Sequence, residues 1–299
     1  MKTAVLTGLA AALFAGYVRW ENDRLSVETY QFTFPSLPEA FDKTRFVFLT
    51  DLHNHCFGQG NERLLEAIRG AEPEFILIGG DMIISRHPRY NNRTKEFLCR
   101  LAEEYPVYYT NGNHEENRKR ATREGREEQK RYEWDLRKAG VRFLHNEVVY
   151  LEKKGSRIAV AGLEPPALYY KKGRIRRMNH EVMNRLLKKP EKFTILLAHT
   201  PFYFQNYADW GADLVLSGHV HGGMIRLPLI GGVASPQYTL FPKYDAGVYT
   251  RDGSLMLLSR GLGLHTLPIR MWNRPELSVI CLRKKVRKEG KEEKNGNTG

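Results

Sequence analysis

His219 and His221 stand two apart in Gly218-His219-Val220-His221-Gly222-Gly223, directly after the apolar run 212–217. On an extended backbone leaving a strand, residues i and i+2 point to one side, and flanking glycines let the chain turn tightly and approach a bound ion. That is a chelating arrangement, although two loop histidines satisfied by carbonyls would look the same in isolation. Four more segments share the grammar. Residues 45–50 end in Asp51-Leu52-His53, 75–78 in Gly79-Gly80-Asp81, 106–110 in Asn111-Gly112-Asn113-His114-Glu115, and 193–197 in Ala198-His199. Short runs rich in Val, Ile, Phe and Tyr are buried strands, and ligands of open α/β sheets gather at the strands' carboxyl ends. Oxygen and imidazole donors without a thiolate suit Mn²⁺, Fe or Zn²⁺ rather than a soft metal.

The ordered set D-x-H, G-D, G-N-H-[D/E], a later His and G-H-x-H resembles the signature of the calcineurin-like metallophosphoesterase superfamily. The likeness extends from about Tyr30 to Leu282, through Phe241-Pro242-Lys243-Tyr244, Ser259-Arg260-Gly261-Leu262-Gly263 and Asn273-Arg274-Pro275-Glu276. These blocks look like the membrane-anchored bacterial branch, related to UDP-diacylglucosamine pyrophosphohydrolases. The resemblance implies an α/β fold, a four-layer α-β-β-α sandwich of two mixed sheets packed face to face and flanked by helices. It also implies two divalent ions, one held by Asp51, His53 and His221 and the other by Asn113, His199 and His219, with Asp81 bridging. Such a pair lowers the pKa of a shared water and clamps an in-line displacement at phosphorus. His114 is then not a ligand but protonates the leaving oxygen or stabilises transition-state charge, with Glu115 orienting its ring.

The expected activity is a metal-dependent phosphohydrolase acting on a phosphomonoester, phosphodiester or pyrophosphate, in particular a membrane-proximal or lipid-linked one. Nuclease or cyclic-nucleotide phosphodiesterase action is the enzymatic alternative. A catalytically silent scaffold is the alternative from another class, and it would show lost ligands or a lost His114.

Three domains are expected: an N-terminal anchor at 1–24, the catalytic domain at 25–282 and a basic disordered tail at 283–299. With 299 residues that are 41% hydrophobic, the chain can bury a large core. Residues 3–18 are uncharged and apolar, closed by Arg19 and Trp20. As a helix they would measure ~24 Å against a hydrocarbon core of ~30 Å, so the expectation is a single-pass anchor in the cell membrane with the catalytic domain outside the cytoplasm. A cleaved signal peptide and a buried helix are the rivals. Cys56, Cys99 and Cys281 are an odd set without paired spacing, which excludes a disulfide framework and a Cys-type zinc site; they read as small buried residues. The net charge of +13 is concentrated in 171–177 and in the tail. Those clusters suit anionic headgroups, whereas nucleic acid is disfavoured because no aromatic-interleaved groove or recognition motif accompanies them; a monomer is expected.

The elements that must position the site follow from patterning. Residues 25–34 alternate as a half-exposed strand, 61–70 form an amphipathic helix with Leu64, Leu65 and Ile68 on one face, and 94–104 form another. The charged stretch 115–139 reads as a solvated helix anchored by Tyr132, Trp134 and Leu136. Residues 141–144, 148–151 and 158–162 read as an antiparallel meander feeding a second sheet. A helix at 178–187 and strands at 247–250, 254–259 and 277–282 complete the reading.

Overall fold

The computed structural model of the chain describes residues 2–85, 91–171, 176–223, 225–227, 229–233, 240–264 and 269–285. Helix α1 (Lys2–Asn22) precedes β1 (Ser26–Phe34), after which β2 (Arg45–Leu49), α2 (Glu62–Gly70), β3 (Phe75–Ile78), α3 (Asn91–Glu104) and β4 (Val107–Tyr109) alternate. Helices α4 (Asn113–Ala121) and α5 (Arg123–Lys138) lead to β5 (Arg142–Phe143), β6 (Glu147–Lys153) and β7 (Ser156–Leu163). Then come α6 (His180–Leu186), β8 (Thr194–Ala198), α7 (Phe204–Trp210) and β9 (Leu214–Ser217). The pairs β10 (Arg226–Leu227) with β11 (Gly231–Gly232) and β12 (Gly247–Arg251) with β13 (Ser254–Leu258) precede the long β14 (Glu276–Lys284).

Two six-stranded sheets result, in the orders β1-β14-β2-β3-β4-β5 and β12-β13-β9-β8-β7-β6. Strands β2 to β5 are parallel, and β14 pairs antiparallel to β2 and parallel to β1. In the second sheet β13, β9, β8 and β7 are parallel, with antiparallel β12 and β6 at the edges. Alternation along each buried strand sends side chains to two faces. Phe46 and Phe48 of β2 meet Ile195, Leu197, Leu214 and Leu216 of the other sheet in the central layer. Their neighbours Val47 and Leu49 pack outward on Leu64, Leu65, Ile68, Phe97, Leu101 and Leu136 of α2, α3 and α5. On the far side Leu196, Val215 and Leu258 meet Met183, Phe204, Tyr207 and Trp210 of α6 and α7. The molecule is therefore the four-layer α-β-β-α sandwich.

Two local expectations need correction. Residues 141–144 do not begin a meander, because β5 pairs in parallel with β4 (Tyr108↔Arg142, Tyr109↔Phe143) and closes the first sheet. Phe143 stacks on Tyr109 with ring centroids 4.7 Å apart, a contact with a residue distant in sequence that local patterning does not encode. Only β6 and β7 form the antiparallel pair, turning through Lys154 and Gly155 at φ 47° and 73°, the left-handed pair that a two-residue hairpin needs. Trp134 is 59% exposed while Tyr132 and Leu136 are buried, because positions two apart lie on opposite sides of a helix.

The anchor expectation is overturned as well. Among the described residues no helix is long and apolar enough to cross a membrane. Helix α1 has 21 residues, but Thr3, Thr7, Gly8, Gly16 and Tyr17 dilute its apolar run and Arg19 ends it. Its last turn is docked on the protein instead: Val18, Glu21 and Asn22 are buried, and Arg274 Nε lies 3.5 Å from Glu21 Oε2. The single-pass location in the cell membrane, with the domain outside the cytoplasm, falls with it. At the other end β14 runs through Lys284, and 286–299 lie outside the described residues.

Candidate active site

Asp51 and His53 leave β2, Asp81 leaves β3, Asn113 and His114 open α4 just beyond β4, His199 follows β8, and His219 and His221 follow β9. The carboxyl ends of three strands of one sheet and two of the other thus supply all eight candidates. Asp51 (φ 55°), His53 (48°), Asp81 (52°), His219 (75°) and His221 (51°) adopt the left-handed region. For non-glycine residues this costs roughly 1–2 kcal/mol each, and it persists where the surroundings over-determine it. Those surroundings are visible. Asp51 N donates to Gly80 O (3.0 Å), His53 N to Asp81 O (3.1 Å) and Gly218 N to His199 O (3.0 Å). Gly80, at φ 95°, lies so close to the Gly112 backbone that a Cβ would collide with it, and a Cβ on Gly218 would strike the Asp51 carboxylate.

The side chains converge in three groups, of which His53, Asp81 and His114 overlap the other two. Asp51, His53 and His221 offer ligand atoms all within 4.8 Å of one another, as do Asp81, His199 and His219. Asp51 Oδ1 lies 3.3 Å from His221 Nε2, 3.7 Å from His53 Nε2 and 3.9 Å from His199 Nε2. Asp81 Oδ2 lies 3.0 Å from His199 Nε2 and 4.0 Å from His53 Nε2, which joins the groups. Backbone donors hold the carboxylates: His219 N reaches Asp51 Oδ2 (2.9 Å), and His114 N reaches Asp81 Oδ1 (2.7 Å). His199 Nδ1 lies 2.8 Å from Gly79 O and donates to it, so Nε2 is the ring nitrogen left to face the centre.

Electrostatics sharpen the picture. Burial alone would raise Asp51 and Asp81, yet facing imidazoles hold both below the usual carboxylate range, His221 and His199 for Asp51, His199 and His114 for Asp81. Burial depresses His53, pushes His219 down to about 3 and pushes His114 down to about 4. His199 is the exception: Asp81 and Asp51 overcome its burial and lift it to about 10. Two ionised carboxylates facing mostly neutral imidazoles are a cation's donor set, and a cation would replace the proton that the carboxylates otherwise impose on His199. Asn113 Oδ1 is buried with no hydrogen-bond partner, as an amide oxygen reserved for a metal would be. The residues present fit divalent ions.

The expected role for Glu115 is not observed. Its buried carboxylate accepts from Asp81 N (2.9 Å), Met82 N (2.9 Å), Gly112 N (3.1 Å) and Tyr109 Oη (2.7 Å), so it braces the Asp81 and Asn113 loops against each other. The His114 ring is oriented by Ser85 N, 3.2 Å from Nδ1. That bond makes Nδ1 the acceptor and leaves the proton on Nε2. Sequence reasoning also missed Asn273, which donates to His221 O (2.7 Å) and Gly223 O (2.8 Å), and the buried Arg270. Arg270 gathers the carbonyls of Arg260, Gly261, Gly263 and Asn273 around a guanidinium that burial pushes down to about 10. The loop it clamps returns Gly263 N to Asp51 O (2.6 Å). The blocks 259–263 and 273–276 were the available signal, without an indication of their role. The cysteines are free thiols and only half-buried. Of the basic cluster, Lys171, Arg176 and Arg177 are exposed, and 172–175 lie outside the described residues.

The calcineurin-like phosphoesterase family matches residues 44–223, a span that takes in all eight candidates. The chain belongs to that family. This phosphoesterase is accordingly a metal-dependent phosphohydrolase. It is 26% identical over 275 residues to an uncharacterized metallophosphoesterase, YkuE, of Bacillus subtilis, covering 90% of this chain and 89% of the relative. It is 27% identical over 285 residues to an uncharacterized protein, YpbG, of the same organism, covering 93% and 95%. A phosphodiesterase, YaeI, of Escherichia coli is 26% identical over 250 residues, covering 80% of this chain and 82% of the relative.

Proposed function

We propose that this phosphoesterase hydrolyses a phosphodiester or a related phosphomonoester or pyrophosphate with two divalent cations, one held by Asp51, His53 and His221, the other by Asn113, His199 and His219, with Asp81 between them. The observation that carries the reading is the pair of three-residue groups within 4.8 Å, linked by Asp51 and Asp81. When bound, such a pair supplies electrophilic activation of the phosphoryl group and an activated water at neutral pH. The chain's own residues do the rest. Asn113 contributes a neutral oxygen, which limits the anionic charge facing a substrate that is itself anionic. His114, with its proton on Nε2, gives a hydrogen bond that stabilises the charge developing on the leaving oxygen, and Ser85 N fixes the ring for that task. Glu115 keeps Asp81 and the Asn113 loop in register.

Phosphodiesters are the first substrates to test, by likeness to the Escherichia coli relative. An amphiphilic ester is a second reading, favoured by apolar side chains that the fold leaves uncovered: Leu6, Leu9, Leu13 and Phe14 on α1, and Ile230, Phe241 and Trp272. Chelation is expected to abolish hydrolysis of bis(p-nitrophenyl) phosphate, with Mn²⁺, Fe²⁺ or Zn²⁺ restoring it and metal analysis giving two ions per chain. Full activity in metal-free buffer, or one ion at saturation, would sink the two-cation reading. A comparison of lipid-linked and water-soluble esters at equal concentration then decides between the substrate readings.

A further inference from the structure

Cations account for Asn113 Oδ1, but they do not account for Tyr170 Oη. This hydroxyl is also buried and has no hydrogen-bond partner, and a centre that draws its ligands from seven other residues has no need of it. A buried hydroxyl without an acceptor costs stability, so its retention calls for an explanation. Tyr170 closes the short helical turn Ala167–Tyr170, which follows β7. Tyr203 Oη anchors the turn by donating to Tyr169 O (3.1 Å). The Tyr170 ring lies 5.8 Å from the His219 ring and 6.2 Å from the His199 ring, centroid to centroid. His114 occupies the other end, its ring 4.7 Å from that of His53. One protic side chain thus stands beside each of the two groups of candidate ligands.

Two other buried phenols near the centre are already committed. Tyr207 Oη donates to Thr200 O (3.0 Å), and Tyr109 Oη donates to Glu115. A phenol keeps its proton at neutral pH, so Tyr170 Oη is a neutral donor. A neutral donor without an acceptor, at the edge of a centre that gathers cations, is matched to an anionic oxygen that arrives with the substrate.

We propose that Tyr170 is a catalytic residue of this phosphoesterase, donating from Oη to a non-bridging phosphoryl oxygen at the His199 and His219 end of the centre. The inference rests on the two-cation reading and adds a contact to it. Tyr170→Phe removes the hydroxyl and keeps the ring. In the full chain loaded with Mn²⁺, the variant should bind the same two ions and melt at an unchanged temperature. Its affinity for inorganic phosphate, measured by calorimetry, should fall about 10-fold, and kcat/KM on bis(p-nitrophenyl) phosphate about 10- to 100-fold, as expected for one hydrogen bond to a charged oxygen. The loss should be equal for aryl and alkyl leaving groups, and smaller on a phosphorothioate, whose sulfur accepts poorly. Unchanged phosphate affinity and turnover would overturn the proposal. A loss confined to poor leaving groups would overturn it too, by making Tyr170 the acid, and so would a lost ion. Failure of the wild-type chain to bind phosphate in a metal-dependent way would instead break the two-cation reading beneath it.

Discussion

His114 and Asp81 sit on loops that one carboxylate, Glu115, ties together, yet their chemistry should separate cleanly. Asp81→Asn removes an anionic oxygen facing both His199 and His53, so metal occupancy and rate should fall together. His114→Ala removes a donor whose ring is held by Ser85 N, so both ions should remain while turnover drops roughly 10²–10⁴-fold. Metal analysis beside kcat distinguishes the two, and release of an ion by His114→Ala would show the donor role to be misassigned. Glu115→Ala belongs to a third kind. It strands three backbone N–H groups and Tyr109 Oη in the interior, so it should cost about 3–5 kcal/mol of stability before any effect on rate, readable by denaturant unfolding. The eight candidates were legible in sequence because unusual polar types end apolar runs. The scaffold that aims them was not, since Glu115 beside a candidate catalytic histidine looks like its partner until the backbone shows whose N–H groups it accepts.

Among the elements, α5 does more than present a solvated face. Its Glu133 takes Asn111 Nδ2 (3.2 Å), Lys119 Nζ (3.0 Å) and His145 Nε2 (3.1 Å), while His145 Nδ1 reaches Glu164 Oε1 (2.9 Å), which in turn accepts from Asn111 N (2.8 Å). One imidazole thereby joins α5, the β5–β6 connection and the end of β7 to the loop that carries Asn113. Burial opposes its charge, but Glu133 and Glu164 overcome that and lift His145 to about 9. A group whose pKa is raised on folding gives stability that is complete below its unfolded value near 6.5 and is lost as pH rises through the folded one. Stability should therefore decline between about pH 6.5 and 9 by ~1–2 kcal/mol after allowance for solvent screening. With cations bound in place of the His199 proton, His145→Gln should flatten that window in urea melts at several pH values, and an unchanged slope would remove His145 from the account. Patterning gave α5, its buried Tyr132 and its buried Leu136, because they recur at helical spacing. It misassigned 141–144 for the opposite reason: a two-residue strand has no period to read, and its partner β4 lies beyond an intervening pair of helices.

At the scale of the molecule, the centre is a seam. Strands β2, β3 and β4 of one sheet and β8 and β9 of the other each end in a candidate ligand, and below that seam the sheets share an apolar layer, with Lys153 of β6 reaching Glu74 and Thr44 at its margin. Cations at this position would tie the two sheets together at their carboxyl ends and bind only the folded chain, since the ligands span residues 51 to 221. Binding that excludes the unfolded state stabilises by RT ln(1 + [L]/Kd), ~2.7 kcal/mol for a site at a hundred times its dissociation constant. For a chain of this size that corresponds to a rise in Tm of roughly 4 °C per site. The gain should be local in origin and shared in effect: with Mn²⁺ bound, hydrogen exchange should slow at 50–54, 79–82, 111–115, 199–200 and 217–222 together, in both sheets. Asp81→Asn should lose most of the thermal shift, whereas His114→Ala should keep it. A shift of normal size with protection confined to one sheet would mean that the ions do not bridge the seam, and the ligand sets proposed for the two cations would have to be redrawn within a single sheet.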